Sequence, residues 1–137
     1  MKLTLKRIGE PFHLQGENDT GQTIEFDGSE DIGGTGKAIR PMQGVASSLA
    51  ACSSIDVLLI LKKQKIELED YQVNISAERR EEHPQVFTSI HMEFEFKGKA
   101  PREKLERAVK LSVEKYCSVA RMLDHSVKIT SSIKVNE

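Results

Sequence analysis

With 137 residues, 38% of them hydrophobic and 30% charged, the chain has the size and composition of one folded globular domain, read here as residues 1–137. A chain of this length buries a core without disulfide or metal staples. Its formal net charge of -1 excludes the basic footprint of a nucleic-acid binder and the polybasic patch of a membrane-surface protein.

The N-terminal part reads as a β-meander. Leu3, Leu5 and Arg7 alternate with Thr4, Lys6 and Ile8, Phe12 and Leu14 form a second short run, and Gln22 to Phe26 a third. Turn-forming residues flank the third run, at Asn18-Asp19-Thr20-Gly21 and Asp27-Gly28-Ser29. The opening segment lacks the long apolar run of a signal peptide. A glycine-rich stretch, Gly33-Gly34-Thr35-Gly36-Lys37, follows; it lacks the preceding buried strand and the spacing of a phosphate-binding loop and is read as a flexible loop.

Pro41 is placed as the first residue of a long helix running to about Gln64, because its missing N–H costs nothing there. Val45, Leu49, Cys52, Ile55 and Leu59 recur at helical spacing, and Ala46, Ala50, Ala51, Val57, Leu58, Ile60 and Leu61 fill the other faces. A helix apolar nearly all round is a buried, central helix. One chain of this size has little with which to cover it, so a homodimer is expected. The most apolar run, Ile55 to Leu61, is too short to span a membrane and is closed by Lys62, Lys63 and Lys65. A cytoplasmic location is therefore expected, and with it cysteines that are reduced thiols.

A hairpin follows. Tyr71, Val73, Ile75 and Ala77 alternate with polar residues. Beyond Glu81-Glu82-His83-Pro84, Val86, Ile90, Met92, Phe94 and Phe96 are assigned to one face. Pro101 starts a second helix with Leu105, Ala108, Val109, Ser112 and Val113 as its apolar stripe. After Cys117 comes a short helical turn to Leu123, and then a last strand with Val127, Ile129, Ser131, Ile133 and Val135 on one face. The fold class is α+β: a meander, a long buried central helix, a hairpin, a second helix and a C-terminal strand.

The two cysteines are the residues with chemistry to offer. A buried free cysteine is most often only a small hydrophobe. There is no C-x-x-C and no histidine at short ligand spacing from Cys52, so neither a metal nor a cofactor is expected. Asp56, one turn beyond Cys52, needs a partner inside a buried helix; it could orient a site group or cap a neighbouring segment, and the structural role is favoured. Ser53 and Ser54 read as packing and backbone-bonding residues. His83 and His91 are read as solvent-facing, and His125 as ending a short helix.

Three segments carry a resemblance. Ala50-Ala51-Cys52-Ser53-Ser54-Ile55-Asp56-Val57, Glu78-Arg79-Arg80 with His83-Pro84 and Phe87, and Leu111-Ser112-Val113-Glu114-Lys115-Tyr116-Cys117-Ser118-Val119 resemble the OsmC/Ohr family, and its less-characterised OsmC-like branch in particular. That resemblance implies an intertwined homodimer with two central helices wrapped by sheets from both chains. It also implies a thiol-dependent peroxidase for organic hydroperoxides, in which Cys52 is peroxidatic, Cys117 resolving, and an external dithiol the reductant. Thiolate attack calls for a nearby cation; of Arg7 and Arg40, which lie upstream of Cys52, Arg40 is the candidate, with Arg79 and Arg80 as rivals. Where the family opens the central helix with a Pro-Glu-Gln-type segment, this chain has Pro41-Met42-Gln43, so the Glu that would hold such an Arg is missing. That departure motivates the alternative of a non-enzymatic redox sensor or a dimer binding a small apolar ligand.

Overall fold

In the computed structural model, which describes residues 1–136, the expected elements appear in the expected order. Contacts divide the chain into two compact units, Met1–Val45 and the remainder from Ala46.

The first unit is built on a three-stranded antiparallel meander of β1 (Leu3–Gly9), β2 (His13–Asn18) and β3 (Thr23–Phe26). Its loop is held rather than free. Buried Asp27 accepts hydrogen bonds from the Thr35 hydroxyl and from the backbone N–H groups of Gly28, Thr35 and Lys37. The Thr35 hydroxyl, opposed by burial and helped by the backbone donors, holds the Asp27 carboxyl below its ordinary value. Glycine is required at Gly34, where a Cβ would stand 1.9 Å from the Gly28 carbonyl oxygen.

Helix α1 (Pro41–Lys63) starts in this unit and continues into the second. It is long and apolar enough, by length and composition, to cross a membrane, and so exceeds the Ile55–Leu61 run that stands out in the sequence. Leu49, Ser53, Val57 and Leu61 are buried at helical spacing, which marks it as a core helix. Ile55, Leu58 and Leu59 on its other side are uncovered within one chain.

The second unit contains a sheet in the order β4–β5–β6, with β4 Asp70–Arg79, β5 Phe87–Lys97 and β6 Lys128–Asn136. β4 and β5 form the expected antiparallel hairpin, whereas β6 runs parallel to β5. A parallel neighbour needs a long crossover. Here it is α2 (Arg102–Leu111), a π-helical turn (Ser112–Tyr116) and α3 (Ser118–Leu123). Ile90, Met92, Phe94 and Phe96 are fully buried on one face of β5, and the Tyr71 ring tilts against Phe96 with centroids 5.4 Å apart.

Val86 does not join that face. It is exposed, and Phe87 is buried instead. The pairing of β4 with β5 shifts between Glu78 and Arg79: Glu78 faces Ser89 but Arg79 faces Phe87, leaving Thr88 as an extra residue. Such a bulge inverts the inward parity of the strand beyond it.

Candidate active site

The second unit brings the two cysteines together from opposite ends of its sequence. Cys52 and Cys117 are both free thiols, and their Sγ atoms, with a carboxylate oxygen of Asp56, all lie within 4.8 Å of one another. Cys52 is partly accessible; Cys117 is fully buried.

Cys52 arrives by helical periodicity alone, from the small-residue half of α1. Cys117 arrives by a break in periodicity. In α2 the stripe Leu105, Ala108, Val109, Ser112 and Val113 is buried as expected, and a continued α-helix would next turn Tyr116 inward. The chain makes a π-helical turn instead, with the Cys117 N–H donating to the Ser112 carbonyl at 2.8 Å. The extra residue in that turn advances the phase by one. Tyr116 is left exposed and Cys117 buried.

Serines on both sides fix the arrangement. Ser53 Oγ donates to Cys117 Sγ at 3.2 Å. Cys117 caps α3, its sulfur accepting from the Ala120 N–H at 3.4 Å. Ser112 Oγ lies 2.9 Å from the Ser53 carbonyl and 3.3 Å from an Asp56 carboxylate oxygen, a single hydroxyl shared between two acceptors. Ser54 accepts from the Tyr71 hydroxyl at 2.7 Å, and burial of that phenol pushes its pKa up to about 12.

Burial pushes the Cys117 thiol above its ordinary value; the bonds from Ser53 and Ala120 pull it down, and the neighbouring Cys52 pushes it further up. Cys117 is thus the sheltered thiol, with burial favouring its protonated form, and Cys52 the one a solute can reach.

The third candidate, Arg40, belongs to the first unit. It is exposed, its backbone N–H donates to Gln43 Oε1 at 3.0 Å, and its side chain makes no ion pair among the described residues. Arg79 and Arg80 donate to the carbonyls of Gln85 and Pro84 and hold the hairpin turn. His91 is not a bare solvent-facing ring: its two nitrogens bond to Thr130 and Ser132 of β6.

From the sequence, Ser53 reads as a packing and backbone-bonding residue, Ser112 as part of an apolar stripe, and Asp56 as structural before site-orienting. The available signals were the four-residue step from Cys52 to Asp56, which puts both on one helix face, and a serine standing in the apolar stripe of α2.

The fold and site thus define a small α+β protein with one thiol in a long core helix and a second delivered beside it by a crossover segment. Residues 34–132 match the family model described as OsmC-like protein. Protein YhfA of Escherichia coli is 42% identical over 121 residues, covering 88% of this chain and 87% of that one. A hypothetical protein from Aquifex aeolicus superposes with a TM-score of 0.80 at 33% identity, covering 99% of this chain and 97% of the other. An organic hydroperoxide resistance protein OsmC from Legionella pneumophila shares the fold, with a TM-score of 0.71 at 20% identity over 98% and 97% of the two chains. The chain belongs to the OsmC-like family.

Proposed function

We propose that this protein is a thiol-dependent peroxidase for organic hydroperoxides, working in the cytoplasm as a homodimer with residues 1–137 as one OsmC-like domain. The observation that carries the reading is the convergence of two free sulfurs, one reachable and one sheltered, within 4.8 Å. The Cys52 thiolate attacks the peroxide O–O bond; with one proton taken up, the alcohol leaves and Cys52 becomes a sulfenic acid. Cys117 then attacks that sulfur, water departs, and a disulfide forms. An external dithiol reduces it by thiol–disulfide exchange. The order of roles follows from exposure: the solvent-accessible sulfur meets the substrate, and the buried one meets only its neighbour.

Arg40 is kept as the cation that would favour the Cys52 thiolate. The uncovered Ile55, Leu58 and Leu59 of α1 support the homodimer, since one chain leaves them in water. The apolar helix around Cys52 supports an organic rather than a small hydrophilic peroxide.

Turnover of cumene hydroperoxide with a dithiol reductant tests this. Many turnovers per chain are expected, abolished in Cys52→Ser and reduced in Cys117→Ser. Full activity in Cys52→Ser would sink the assignment. Two observations favour a second reading, a non-enzymatic redox sensor or a dimer that binds a small apolar ligand. The group found beside the two sulfurs is the Asp56 carboxylate, and Met42 stands where the family's Glu would hold an Arg. Oxidation that stops at one event per chain in the presence of reductant would favour it.

A further inference from the structure

The peroxide chemistry uses two of the three groups that meet at this site. Asp56 is the third. It lies on the same face of α1 as Cys52, is half-buried, and has as its hydrogen-bonding neighbour the shared Ser112 hydroxyl at 3.3 Å. No Lys, Arg or His pairs with it among the described residues. Two sulfurs and a carboxylate, each able to carry negative charge, therefore face one another, and no ion pair neutralises the carboxylate among the described residues.

We propose that Cys52, Asp56 and Cys117 form a binding site for Zn(II), filled when both thiols are reduced. Tetrahedral zinc holds sulfur at about 2.3 Å and carboxylate oxygen at about 2.0–2.2 Å, which sets its ligand atoms about 3.6–3.8 Å apart. The three atoms lie within 4.8 Å of one another, so closing on the ion takes side-chain shifts of about 1 Å. Three protein ligands leave the fourth position to water. The donor set selects the metal: two thiolates discriminate against Mg(II) and Ca(II), and the carboxylate discriminates against Cu(I). A second observation agrees. Ser53 Oγ–H and the Ala120 N–H both point at Cys117 Sγ, the arrangement that orients and supports a metal-bound thiolate. Binding releases the two thiol protons and moves no electrons. It occupies both sulfurs, so a zinc-loaded chain forms no Cys52–Cys117 disulfide until the ion leaves. This inference needs only the convergence of the side chains and stands apart from the peroxidase reading.

The test uses the full chain, reduced with a phosphine and kept anaerobic. Co(II) is titrated in while thiolate-to-cobalt charge-transfer and tetrahedral d–d bands are recorded, and Zn(II) is then added against a chromophoric chelator. One Co(II) per chain is expected, with both sets of bands lost on adding Zn(II). Asp56→Asn should weaken Zn(II) binding about tenfold or more, and Cys52→Ser or Cys117→Ser should remove most of the charge-transfer intensity. The wild type supplies a readout independent of any variant's folding: stoichiometric Zn(II) should slow alkylation of both thiols by iodoacetamide. Absence of charge-transfer bands and of protection in the wild type would overturn the proposal, as would unchanged affinity in folded Asp56→Asn. A chain that turns over peroxide without binding metal refutes the zinc site alone, and one that binds zinc but never forms the disulfide refutes the peroxidase alone.

Discussion

Strand β5 and strand β1 have similar alternation in sequence and opposite fates in the single chain. β5 seals Ile90, Met92, Phe94 and Phe96 completely, whereas Leu3 and Leu5 of β1 stay 68% and 60% exposed. The difference is in what lies across each sheet face. The second unit supplies buried partners of its own from α1 (Leu49, Val57, Leu61) and α2 (Leu105, Ala108, Val109). The first unit has no comparable set: its buried residues are few, and the largest is the carboxylate of Asp27. Alternation therefore specifies that a strand has an apolar face, and not whether its own chain covers that face.

Of the residues β5 seals, Phe94 is the one whose loss should cost the second unit most. Phe94→Ala should destabilise the chain by about 3–5 kcal/mol, through lost burial and the cavity left behind, at every protein concentration. Chemical denaturation with an unchanged slope and a lowered midpoint would register it. Leu5→Asp should cost about 1.5–3 kcal/mol in the proposed homodimer, where a second chain would cover the β1 face. That cost should be visible as loss of the concentration dependence of the melting temperature. If the wild-type melting temperature does not vary with concentration, the cover does not come from a second chain.

Ser112→Ala should cost about 1–3 kcal/mol, because it strips a buried donor from the Ser53 carbonyl and from Asp56. A loss within experimental error would mean that water replaces the hydroxyl. The smallest effect near neutrality is in rate. The folded Cys117 thiol is held above its ordinary pKa by burial, so its thiolate forms at higher pH than that of a free thiol. Below its shifted value the thiolate fraction grows about tenfold per pH unit. Disulfide formation after a peroxide pulse should therefore keep accelerating beyond pH 8.5, the usual thiol midpoint of about that value. A plateau at or below neutrality would contradict it.

Most of the fold was legible because its elements are strongly periodic: the three short strands, the helix opened by Pro41, the hairpin and the buried stripe of α2 all appear where patterning puts them. What escaped the sequence were two single-residue insertions. The bulge at Thr88 exchanged Val86 for Phe87 in the core, and the π-helical turn exchanged Tyr116 for Cys117. Neither has a compositional mark, since each is a hydrogen-bond choice settled by tertiary packing. The site was legible as two cysteine segments joined by resemblance. The carboxylate beside them was legible only as a residue one turn from Cys52; its meeting with Ser112 and with both sulfurs depends on the crossover segment that brings Cys117 in.

Everything proposed for the site rests on Cys52 and Cys117 acting as a pair. One equivalent of an organic hydroperoxide, followed by alkylation and mass spectrometry of the intact chain, tests that most directly. The predicted result is an intramolecular Cys52–Cys117 disulfide with two thiols lost per chain, and a trapped sulfenic acid on Cys52 in Cys117→Ser. Two unreacted thiols, or oxidation at Cys117 with Cys52 left free, would contradict it.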